Sequence, residues 1–115
     1  MRTNTVVVTV VPLADFDSDL QGRWNTLKAA LRVGDIDSAV ECLHSRSRSR
    51  YRPVFTQLFS AGPRNVDDTL TSIRFVEQHH GRAVYQMLRS QDGKRLSFQV
   101  LFEIDADDVW RLSAF

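Results

Sequence analysis

Residues 24–40, Trp24-Asn25-Thr26-Leu27-Lys28-Ala29-Ala30-Leu31-Arg32-Val33-Gly34-Asp35-Ile36-Asp37-Ser38-Ala39-Val40, place one apolar-periodic stretch on each side of Gly34-Asp35. Leu20, Trp24, Leu27, Ala30 and Leu31 recur at spacings of three and four, which predicts one face of a helix, with Asp15 or Asp17 as its N-cap. Gly34 supplies a left-handed C-terminal cap, and Asp35 opens a second, shorter helix through Ile36, Ala39, Val40 and Leu43. A third stripe, Tyr51, Val54, Phe55, Leu58 and Phe59, runs into Gly62-Pro63, a pair that stops a helix. Ser47 is available as its cap, although Pro53 suits the first turn better.

From Leu70 onward the period changes from helical to alternating. Turns at His80-Gly81, Asp92-Gly93 and Asp105-Ala106-Asp107-Asp108 separate strands near residues 71–78, 82–89, 95–104 and 109–115. In the third strand Leu96, Phe98, Val100, Phe102 and Ile104 share one face, against Ser97, Gln99, Leu101, Glu103 and Asp105. Asp92-Gly93 marks a tight hairpin, because both central residues of a type I′ turn need positive φ. Helices first and an antiparallel meander second give an α+β fold, in which three helices cover the apolar face of at least four strands. The expected core is Trp24, Leu27, Leu31, Phe55, Leu58, Phe98, Val100, Phe102, Trp110 and Leu112.

At 115 residues the chain holds one domain and one core. Its 43% hydrophobic and 25% charged residues are those of a soluble globular protein, and a formal charge of +1 gives no global pull toward nucleic acid or membrane. The single cysteine, Cys42, excludes an internal disulfide and reads as a buried structural thiol. No apolar run approaches the roughly 20 residues that span a bilayer, and the short, Thr-interrupted run after Met1-Arg2 is a poor signal peptide. That run, Thr3 to Val11, reads as an extended strand with no adjacent partner, so residues 1–12 separate from a domain of residues 13–115. Its free edge is expected to join the chain's own sheet or the same strand of a second chain, giving a homodimer.

Three groups of residues carry a family resemblance. They are Trp24-x-x-Leu27-x-x-Ala30-Leu31-x-x-Gly34-Asp35-Ile36-x-x-Ala39, then Ser47-Arg48-x-x-Tyr51-Arg52-x-x-Phe55-x-x-Leu58, and Val100-Leu101-Phe102 with Asp108-Val109-Trp110-Arg111-Leu112 and Phe115. Over residues 18–115 the chain resembles a bacterial branch of the NTF2-like (cystatin-like, SnoaL-like) superfamily. The resemblance implies a curved antiparallel sheet wrapped around helices, often enclosing a pocket. Trp24, Tyr51, Phe55, Tyr85, Phe98, Phe102 and Trp110 are the candidate lining residues of such a pocket here. It also implies a place near the C-terminal end of a large secreted or surface protein, with residues 4–10 as the last strand of a preceding immunoglobulin-like repeat. The function it points to is a non-enzymatic accessory or interaction module that takes a small apolar ligand or another protein domain. The alternative is a stand-alone binding protein, or an enzyme of the isomerase or dehydratase type, since fold alone does not set activity.

The residues themselves show no convergent acid/base pair, and neither a catalytic residue, a metal site nor a cofactor is assigned. The inward positions of the third strand are apolar. Tyr51 and Tyr85 read as buried phenols bound to backbone, His79 and His80 as a solvated turn, and His44 as isolated. Asp105, Asp107 and Asp108 lack the Gly and terminal Glu of a calcium loop and read as a solvated turn. Arg46, Arg48, Arg50 and Arg52 alternate with Ser47, Ser49 and Tyr51, a spacing that could bind an anion or nucleic acid. The tract is short and runs straight into an apolar stripe, so a solvated helix start is the preferred reading, with carboxylates of Asp35, Asp37 or Glu41 nearby.

Overall fold

The computed structural model describes residues 13–59 and 66–115, Phe59 and Asp68 by their backbone alone. The expected strand at residues 3–11 and the helix stop at Gly62-Pro63 lie outside the described residues. The chain forms α1 (Leu13–Arg32), α2 (Ile36–Glu41), a 3-10 turn (Ser45–Ser47), α3 (Arg48–Phe59) and the short α4 (Val66–Thr69). Four strands follow: β1 (Ile73–His79), β2 (Arg82–Gln91), β3 (Lys94–Ile104) and β4 (Trp110–Ala114). They make one antiparallel sheet in the order β1-β2-β3-β4, so the fold is α+β with a meander.

The corner between α1 and α2 forms as its residues require. Gly34 adopts φ 71°. Its amide donates to the Leu31 carbonyl and that of Asp35 to the Ala30 carbonyl, the paired bonds of a Schellman cap. The Asp35 carboxylate then accepts from the Ser38 amide at 3.1 Å and caps α2. Asp92 and Gly93, at φ 53° and 75°, form the type I′ turn that pairs Gln91 with Lys94.

Leu20, Trp24, Leu27 and Leu31 of α1, Ala39 and Val40 of α2, and Tyr51 and Phe55 of α3 share one core with Ala83, Tyr85, Met87, Val100, Phe102 and Leu112 of the sheet. The indole of Trp24 donates to the Thr71 carbonyl at 2.9 Å. The outer edge of β4 is covered, because the His44 amide donates to Leu112 and the Leu112 amide to Cys42.

Several expectations are corrected. Asp15 and Asp17 lie inside α1, which starts at Leu13. Asp17 instead accepts a bond from Tyr85. Pro53 stands within α3 and not in its first turn, and the helix tolerates the missing donor. The Nδ1 atom of His44, not Ser47, caps the turn that leads into α3. Leu58 is 49% exposed, because the packed side of α3 ends at Phe55. Alternation in β3 stops at Phe102, which leaves Ile104 exposed while Asp105 is buried. Phe98 and Trp110 are only partly buried, and so is Cys42.

Candidate ligand groove

The side chains that α3 stops covering leave an opening at one end of the sheet. Tyr51, Val54, Phe55 and Leu58 of α3 face Thr69, Leu70, Met87, Arg89, Phe98 and Phe115 across a groove of ≈ 220 Å³. The β2–β3 register makes its floor: Met87 lies directly opposite Phe98, and Arg89 opposite Leu96, so Arg89 and Phe98 are diagonal neighbours. The Tyr51 ring stacks on Phe115 with centroids 4.8 Å apart and planes 6° from parallel. Its hydroxyl donates to the Phe115 main-chain oxygen at 3.2 Å and accepts from the Phe115 amide at 3.1 Å. That phenol is therefore committed to backbone, and the wall it builds is aromatic.

Among the described residues Arg89 is the one charged side chain of the lining. Its guanidinium lies 4.5 Å from the centre of the Phe98 ring, and Nη1 donates to the Thr69 carbonyl at 3.0 Å. Among the described residues no carboxylate pairs with it, and Nε and Nη2 have no protein acceptor.

Of the seven aromatic residues expected around a pocket, Tyr51, Phe55 and Phe98 line this groove. Trp24, Tyr85 and Phe102 fill the interior instead, at 1%, 0% and 0% exposure. Trp110 packs edge-on against Phe16, centroids 5.2 Å apart, away from the lining. Met87, Arg89 and Leu70 carry no motif or periodic signal of their own in the sequence. The signal for two of them existed, because the two-residue Asp92-Gly93 turn by itself places Met87 opposite Phe98 and Arg89 diagonal to it.

The remaining candidates are occupied within the protein. Tyr85 donates to Asp17 at 2.6 Å. Burial first, then that bond and the charges of Asp17 and Asp19, push its phenol above the ordinary range, so it keeps its proton. The arginine tract diverges: Arg46 pairs with Glu103, Arg52 with Asp37 at 2.8 Å, Arg48 donates to the carbonyls of Leu43 and Glu41, and Arg50 lies over Tyr51. Asp37 is thus the expected partner that does form a salt bridge, while Glu41 contributes its carbonyl.

His44, expected to be isolated, is buried with Nε2 3.7 Å from Asp105. Asp105 accepts from the Ser45 hydroxyl at 2.8 Å, the Ser45 amide at 2.9 Å, the Ala106 amide at 2.8 Å and Arg111 at 3.2 Å. It ties the β3–β4 turn to the start of the 3-10 turn and is not a solvated loop residue. Arg111 also holds Asp107 at 2.7 Å. Among the described residues no three His, Cys, Asp or Glu side chains gather as metal ligands, and no helix is long and apolar enough to cross a membrane. No family model matches this chain, and no curated protein or solved structure matches it.

Proposed function

We propose that the chain is a non-enzymatic accessory or interaction module, of NTF2-like type and part of a larger bacterial protein, that receives a small apolar ligand in the groove between α3 and the β2–β3 hairpin. The observation that carries this reading is the groove itself: outside Arg89 and Thr69 its lining is aromatic and aliphatic, and its aromatic wall is fixed by backbone bonds at Tyr51. Hydrophobic walls with a few placed polar groups are the usual composition of a small-molecule site. Neither the Tyr85–Asp17 pair nor the His44–Asp105 pair is among the lining residues. That weighs against the isomerase or dehydratase alternative.

At roughly 30 Å³ per water-sized group, ≈ 220 Å³ accommodates about seven methylene-sized groups. At about 0.8 kcal/mol for each, full burial of that tail contributes at most about 5–6 kcal/mol before the cost of association. A small neutral apolar ligand of about that size, such as toluene, should therefore bind with saturable chemical-shift changes at the lining residues. Leu58→Glu and Val54→Glu place a charge on the exposed rim, at positions 49% and 43% accessible, where folding is little affected. Each should weaken binding about tenfold or more, with a melting midpoint within a few degrees of the parent. Unchanged binding in both variants would move the ligand site elsewhere.

A further inference from the structure

We propose that the ligand of this groove is a single-chain aliphatic carboxylate, its tail between α3 and the hairpin and its head on Arg89. This inference rests on the groove reading above and adds to it the identity of the head group. Three observations converge on Arg89. Among the described residues it is the one charged side chain lining an otherwise nearly apolar cavity. It is held in place by two contacts, the Phe98 ring at 4.5 Å and the Thr69 carbonyl at 3.0 Å, so little side-chain freedom remains to be lost on binding. And neither contact uses Nε or Nη2, the adjacent donors of the guanidinium fork, which match the two oxygens of a carboxylate. Near α3, Arg52 is engaged with Asp37, Arg46 with Glu103 and Arg48 with backbone carbonyls, while Arg50 lies over the Tyr51 ring and is not among the lining residues. The groove volume, about seven methylene-sized groups at roughly 30 Å³ each, sets the tail near that of octanoate.

Calorimetric titration of the whole chain with octanoate and with 1-octanol, which share a tail and differ in charge, tests the assignment. The parent protein should bind octanoate about tenfold more tightly than octanol, the usual effect of a charge-assisted hydrogen-bond pair at a partly exposed site. Arg89→Gln should remove that preference and leave octanol affinity within about twofold. Arg89→Met, which keeps an apolar stem over Phe98, should do the same and serves if the Gln variant does not fold. Equal affinity for both ligands in the parent, or a preference that survives in both variants, overturns the role of Arg89 while leaving the groove in place. Binding of neither ligand overturns the groove reading as well.

Discussion

Trp24→Ala and Phe102→Ala should each lower the unfolding free energy by about 3–5 kcal/mol, the cost of emptying a large buried aromatic site. Trp24 is 1% exposed and Phe102 is fully buried, at the centre of the core that α1 shares with the sheet. Loss of Trp24 also strands the Thr71 carbonyl, which accepts from its indole at 2.9 Å. Leu58→Ala is the matched control. Its periodicity in the sequence puts it in the core, whereas the structure leaves it 49% exposed, so its replacement should cost under about 1 kcal/mol. Urea denaturation of the three variants decides between the two placements. Similar losses at Leu58 and Phe102 would mean that α3 packs along its whole apolar stripe and that the groove is closed.

Asp105→Asn should cost roughly 2–3 kcal/mol near neutral pH, because a carboxylate only 5% exposed in its side chain exchanges charge-assisted bonds for neutral ones. The Ser45 hydroxyl is the largest influence on this group. Burial opposes it, and the Ala106 and Ser45 amides reinforce it, so the carboxyl titrates well below the usual carboxylate range. A carboxyl whose folded pKa lies below its unfolded value of about 4 adds stability above that value and loses it as pH falls toward the folded pKa. The deficit of Asp105→Asn should therefore be full above about pH 5 and shrink as pH falls below about 4. Thermal melts of parent and variant at stepped pH measure this. A deficit that stays constant into strong acid would show that Asp105 contributes shape and not charge.

Local rules made much of this architecture legible. Gly34-Asp35 specified the corner between α1 and α2 through one positive φ and one carboxylate cap. Asp92-Gly93 specified the central hairpin, and with it the register of its ten paired positions from Arg82 to Gln91. What local rules do not carry is where one element stops covering another. Ile104 continues the alternation of Phe98, Val100 and Phe102, yet it is exposed, because Asp105 turns inward to the Ser45 hydroxyl and amide some 60 residues away in sequence. His44 gives no periodic signal, and its burial follows from the same long-range contact.

The groove follows the same division. Tyr51, Phe55 and Phe98 stood out as aromatic residues, but their convergence depends on α3 meeting the far end of the hairpin beside Phe115. Trp24, Tyr85 and Phe102 have the same aromatic character and instead complete the core, a difference that depends on neighbours distant in sequence. Arg89 was legible only in combination, as a diagonal partner of Phe98 once the turn fixes the register.

The groove as the ligand site is tested most directly by two-dimensional NMR of the methyl and aromatic resonances during titration with octanoate. The account predicts saturable shifts concentrated at Met87, Leu58, Leu70, Phe98 and Tyr51, which line the groove, with the resonances of Trp110 and Phe16 unmoved. Shifts centred on Trp110 and Phe16, or no saturable shift at any groove residue, would contradict it.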